Sequence, residues 1–128
     1  MAGELDRFVV PGLRPPLGAY VHAVVHAGII YCAGQVGVDP STGVVPDGAG
    51  AQTRQALSNL AAVLTAAGSD FDHVVKATVY VRDAAMFGEM DTAFAEVFGA
   101  ARPARTTIPG IDFRDGVDVE IDLIAALR

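Results

Sequence analysis

Two charged residues near the end of the chain stand in apolar surroundings. They are Arg105 in Pro103-Ala104-Arg105-Thr106-Thr107 and Glu120 in Val119-Glu120-Ile121-Asp122-Leu123-Ile124. Each run reads as a strand. A guanidinium is permanently charged and offers a planar fork of donors, so it can grip a carboxylate through two parallel hydrogen bonds. A carboxylate nearby can orient or deprotonate a water. Brought to one cleft, the pair makes a minimal site for hydrolysing a small substrate that carries a carboxylate. A plainer reading stays open for each: a surface arginine paired with an acid, and a solvated face on which Glu120 is joined by Asp118 and Asp122, opposite Val117, Val119, Ile121 and Leu123.

Other reactive groups are few. Cys32 is the one cysteine and lies in Ile29-Ile30-Tyr31-Cys32-Ala33 with no base or cation beside it, which predicts a buried small hydrophobe and excludes an intrachain disulfide. His22, His26 and His73 lack metal-ligand spacing with acids or Cys32. His22 could line a pocket; His26 and His73 read as solvated. Gly48-Ala49-Gly50 is too short and wrongly placed for a phosphate loop.

The 128 residues set the frame for these groups as one domain. Hydrophobic residues make up 52% and charged residues 19%, which excludes a disordered chain and slightly exceeds what one small core needs. Some apolar surface is therefore expected to be covered, most simply by another copy of the chain. The net charge of −6 and the scattered Lys and Arg disfavour a nucleic-acid partner, which requires clustered cations. No apolar stretch reaches membrane-spanning length and no signal pattern opens the chain, so no membrane partner is expected and the cytoplasm is the expected location.

The elements that must position the site follow from periodicity. A weakly structured lead over residues 1–16 carries a possible strand at 7–10. Runs at 20–26 and 29–34 are β-branched or aromatic and joined by Ala27-Gly28, a hairpin signal. Asp39-Pro40-Ser41-Thr42-Gly43 is a turn. Over 51–67, Ala56, Leu57, Leu60, Val63, Leu64 and Ala67 recur at three and four, predicting a helix stopped by Gly68. A strand at 74–81 follows, with Val75, Ala77, Val79 and Val81 on one side. Asp83 can cap a second helix whose buried stripe is Phe87, Met90, Phe94, Val97 and Phe98, ending at Gly99. Strands at 104–108 and 117–126 flank a loop, giving an α+β pattern in which two helices cover one face of a sheet.

The order of motifs resembles the RidA/YjgF family of imine and enamine deaminases nearly end to end. The matching pieces are Gly18-Ala19-Tyr20-Val21-His22-Ala23-Val24, Ile30-Tyr31-Cys32-Ala33-Gly34-Gln35-Val36, Asp39-Pro40-Ser41-Thr42-Gly43 and Gln52-Thr53-Arg54-Gln55-Ala56-Leu57-Ser58-Asn59-Leu60. Ala66-Ala67-Gly68, Val74 through Asp83, Phe98-Gly99, Pro103-Ala104-Arg105-Thr106 and Val119 through Ala125 complete the match. The resemblance implies a chorismate-mutase-like single domain, with a mixed β-sheet, two helices on one face and three subunits packed as a barrel with clefts at their boundaries. It implies hydrolysis of reactive 2-imino or 2-enamino acids to 2-oxo acids and ammonia, as in a 2-iminobutanoate/2-iminopropanoate deaminase, without metal or organic cofactor.

Carried over by position, Arg105 matches the arginine that holds the substrate carboxylate and Glu120 the acid that positions water. Tyr20 matches the tyrosine bordering the cleft, Thr107 falls where many members have cysteine, and Gly34-Gln35 matches a structural strand end. Thr107 and Tyr20 are candidates for stabilising the tetrahedral intermediate. Ala19, His22, Thr107 and Asp91 depart from the usual proline, glutamine, cysteine and asparagine, and the first three bear on substrate range. The family fold also implies that the strands of Arg105 and Glu120 are not hairpin neighbours, despite the loop between them. Competing expectations are a non-catalytic small-carboxylate-binding protein, a pathway-specific member and, disfavoured by charge, an endoribonuclease.

Overall fold

The fold was read from a computed structural model in which residues 3–128 are described. Among the described residues seven strands form one sheet: β1 (Asp6–Phe8), β2 (Ala23–His26), β3 (Ile29–Cys32), β4 (Gln35–Val36), β5 (Val74–Val81), β6 (Ala104–Ile108) and β7 (Val119–Ala126). Their order is β1-β2-β3-β7-β5-β6, and β4 pairs with β7 beyond the end of β3. All neighbours are antiparallel except β5 and β6, whose parallel pairing requires the crossover that α2 (Phe87–Phe98) supplies. The Ala27-Gly28 turn has both residues at positive φ, 51° and 81°, the geometry whose twist suits a two-residue hairpin and keeps His26 opposite Ile29.

Strand alternation sorts the sheet into a helix-covered face and an open face. Inward go Val74, Ala77, Val79 and Val81 of β5 and Val119, Ile121, Leu123 and Ala125 of β7. Over them lie Leu57, Leu60, Val63 and Leu64 of α1 (Ala49–Ala67) and Met90, Phe94 and Phe98 of α2. Outward go Lys76, Thr78 and Tyr80 of β5 and Glu120, Asp122 and Ile124 of β7, with exposed Tyr31 and Ile108 on the flanking strands. No helix among the described residues is long and apolar enough to cross a membrane. Cys32 is buried, and burial, aided by the Asp122 charge, pushes its thiol up to about 12.

Two polar side chains of α1 tie the helix to the site-bearing loops. Gln52 is 1% exposed; its amide nitrogen donates to the carbonyls of Pro46 (2.9 Å) and Gly116 (2.8 Å) and to Asp118 Oδ2 (3.3 Å), and its oxygen accepts from the Asp118 amide (2.7 Å). Asn59 donates to the carbonyls of Val36 (3.2 Å) and Val38 (2.8 Å). Buried amides are stable only when so satisfied.

Several sequence expectations need correction. The strand expected at 7–10 pairs instead over Asp6–Phe8, and the run from 20 joins the sheet only at Ala23. Val75 is 53% exposed, because a register shift between Val74 and Lys76 swings it outward and gives Val74 the inward place. Phe87 is 44% exposed and lies outside the core stripe; Asp83 caps a 3₁₀ turn (Ala84–Met86) ahead of α2 through the Ala85 amide (2.9 Å). The last strand starts at Val119, since the Val117 amide closes a turn onto Arg114 (3.2 Å).

Candidate active site

Arg105 lies opposite Ala77 of β5, and Thr107 opposite Val79, so both project to the helix-covered face. The Arg105 guanidinium packs against two aromatic rings of α2, 4.7 Å from the Phe94 centroid and 5.5 Å from that of Phe87. Its Nη1 is 2.8 Å from Asp91 Oδ1. Exposed Phe87 thus packs on the arginine rather than in the core, an arrangement that restricts a flexible cation through ring electrostatics. The group borders a depression of about 300 Å³ lined also by Arg102 and Pro103. Thr107 opens onto an adjacent notch with Val81, Ala84, Phe87 and Pro109.

Glu120 lies on the open face, opposite Tyr80 on β5 and Val36 on β4. It lines a depression of about 270 Å³ together with Tyr20, His22, Gly34, Gln35 and the segment 112–117. Burial first, and the negative charge of Asp122 second, raise its carboxyl above the ordinary range. A carboxylate held there is a better proton acceptor than a solvated one.

A raised folded-state pKa means that ionising Glu120 costs stability. The contribution is intact below the unfolded pKa of about 4.3 and is lost as pH rises through the folded value. Glu120→Gln is therefore expected to melt above the parent at pH 7. The difference should close below pH ~4 in a thermal-melt series.

Gly34 makes the approach to Glu120 possible. A Cβ built there would meet Glu120 Oε2 at 2.5 Å and Cδ at 2.9 Å. Gly34→Ala should displace a side chain with room to turn rather than unfold the protein. The expected result is a melting temperature within a few degrees of the parent, with Glu120 turned away from Gly34 in a crystal structure of the variant.

His22 is 2% exposed and braces the depression from beneath. Its Nδ1 accepts from the Val10 amide (2.9 Å), which fixes the tautomer so that Nε2–H donates to the Arg14 carbonyl (3.0 Å). Tyr20 is 50% exposed at the rim, its hydroxyl accepting from the Leu17 amide (3.3 Å). The opposite wall hangs on Arg82, absent from the sequence-based candidates. Its Nη2 donates to the carbonyls of Phe113 (3.2 Å), Arg114 (2.9 Å) and Val117 (2.6 Å), and its Nε to the Val117 carbonyl (3.0 Å) and Asp118 Oδ1 (3.2 Å). Arg82 lay in a matched motif without a role; nothing in its local sequence points across to a loop thirty-odd residues on.

Arg105 and Glu120 do not share a cavity within one chain. Strand β5 separates β6 from β7, and the register sends the two side chains to opposite faces of the sheet. One group of residues gathers a cation with Thr107; the other gathers a basic carboxylate with Tyr20 and His22. Apart, the first can bind an anion and the second can hold a water. Together they can do both to one substrate.

Comparison with known proteins gives a consistent picture. The sequence model of the endoribonuclease L-PSP family matches residues 12–127. A rat protein named 2-iminobutanoate/2-iminopropanoate deaminase is 41% identical over 125 residues, 95% of this chain and 91% of its own. A RutC family protein of Pyrococcus horikoshii is 39% identical over 111 residues, 86% of this chain and 88% of its own. The crystal structure of the YjgF gene product of E. coli superposes with a TM-score of 0.87 at 32% identity, covering 96% of this chain and 99% of that one.

Proposed function

Since this chain belongs to the endoribonuclease L-PSP family, which includes the RidA/YjgF proteins, we propose that it is a cytoplasmic hydrolase of reactive 2-imino and 2-enamino acids. The products are a 2-oxo acid and ammonia. The observation that carries this reading is the division of labour across the sheet. Arg105 is framed for a carboxylate on one face, Glu120 is held basic on the other, and a cleft containing both takes two copies of the chain. A cyclic trimer that packs the open faces inward would supply such clefts and cover the surface carrying Tyr31, Ile108 and Ile124.

In this cleft the Arg105 fork fixes the substrate carboxylate. Water on Glu120 of the neighbouring copy adds to the C=N carbon, already electrophilic when nitrogen is protonated. Glu120 takes one proton from the added water and passes it to nitrogen; as the C–N bond breaks and ammonia leaves, the remaining hydroxyl proton goes to Glu120 and C=O forms. Thr107, two residues from Arg105 on β6, and Tyr20, in the depression of Glu120, are assigned as hydrogen-bond partners of the tetrahedral intermediate. Little more than positioning and charge management is required of the protein.

The test is release of ammonia and 2-oxo acid from 2-iminobutanoate generated in situ, with and without protein. Acceleration over buffer supports the reading; saturable binding of a small carboxylate without acceleration would make the protein a carboxylate-binding module instead. A net charge of −6 with scattered cations gives no support for cleaving RNA.

A further inference from the structure

We propose that Asp91 makes the Arg105 end of the cleft selective for zwitterionic α-iminium acids over the anionic 2-oxo acids that replace them. The inference rests on the imine-hydrolysis reading above and assigns a specificity role to a residue outside it. Asp91 Oδ1 touches one nitrogen of the guanidinium, Nη1, at 2.8 Å. Beyond that ion pair and the two ring contacts, Arg105 has no other polar partner among the described residues, which leaves its remaining N–H groups to a ligand. With rings of Phe87 and Phe94 packed against the group, an incoming carboxylate must bind beside Asp91. The Asp91 side chain is 49% exposed and faces the same depression. Arg102 also borders it, its Nε donating to the Gly99 carbonyl (3.1 Å), so the local charge favours one ligand carboxylate but resists further negative charge.

A protonated imine carries its positive nitrogen on the carbon that bears the carboxylate. When that carboxylate takes the free N–H groups of Arg105, the nitrogen on the adjacent carbon enters the field of Asp91, and opposite charges attract. Hydrolysis replaces the cation by a neutral carbonyl oxygen. The attraction to Asp91 vanishes and repulsion of the remaining carboxylate persists, so Asp91 acts as a positioning and specificity residue that weakens product binding.

Two inert ligands separate these contributions: 2-aminobutanoate, with a cationic α-nitrogen, and 2-oxobutanoate, without one. Calorimetric titration of the parent protein should favour 2-aminobutanoate. Asp91→Asn should tighten 2-oxobutanoate about five- to tenfold and 2-aminobutanoate much less, with Asp91→Ser behaving alike should the asparagine variant fold poorly. The product-inhibition constant of 2-oxobutanoate should fall in parallel. If the ratio of the two affinities stays within about twofold of the parent in both variants, the proposal is overturned. Arg105→Ala separates the two levels. Unchanged binding of both ligands in that variant refutes the site itself, whereas loss on Arg105→Ala with no effect of Asp91 refutes the selectivity alone.

Discussion

Arg105→Ala is expected to lower kcat/KM for 2-iminobutanoate by about 10³-fold while leaving the fold and assembly intact. On the proposed function the side chain supplies the fork for the substrate carboxylate, and alanine removes every donor at once. Stability should fall modestly. The Asp91 carboxylate left behind is half-exposed and can be hydrated, so the lost ion pair and the two ring contacts together cost about 1–2 kcal/mol. Arg105→Lys should fall between, since an ammonium keeps the charge but cannot match two carboxylate oxygens with a rigid fork. Ammonia release at subsaturating substrate, with a melting curve beside it, reads both quantities. Parental turnover by the alanine variant would remove Arg105 from the site.

The second large effect is a recovery. Arg105→Ala and Glu120→Gln should each be nearly inactive alone, yet chains of the two kinds assembled together should regain activity. If a site draws its arginine from one copy and its glutamate from the next, random mixing at equal amounts leaves about a quarter of the sites with both groups intact in a closed ring. If one chain supplied both groups, every site would carry a defect and mixing would restore nothing. The prediction rests on the proposed cleft between copies and on the sheet register, which puts Arg105 on the face of Ala77 and Glu120 on that of Tyr80. Co-expression with two affinity tags, followed by the deamination assay on doubly tagged material, gives the answer.

Much of this was legible from the chain as text. The strands at 74–81 and 104–108 have the bounds expected from their β-branched runs, and the helical stripe from Ala56 to Leu64 is buried as its spacing requires. Where the reading failed, a distant partner had decided the matter. Val75 turns outward because pairing with β7 shifts register beside it, and Phe87 stays out of the core because it packs on an arginine from another strand. The chemistry followed the same rule. Residue type marked Arg105 and Glu120 as candidates, but the faces they occupy depend on β5 lying between their strands. Asp91 is fourteen positions before Arg105 by number, and only the crossover from α2 to β6 makes them an ion pair. Arg82 and Gln52 were invisible as supports, since their acceptors are loop carbonyls that no pattern of side chains announces.

Arg82 and Gln52 lace the stretch from Phe113 to Asp118 to the rigid scaffold through carbonyls, an amide and a carboxylate. The entropy of ordering that wall was therefore lost when the polypeptide folded, and a visiting molecule has little left to freeze. Capture should be governed by diffusion and by the field at the mouth rather than by a slow rearrangement, which suits a short-lived solute that water would otherwise destroy first.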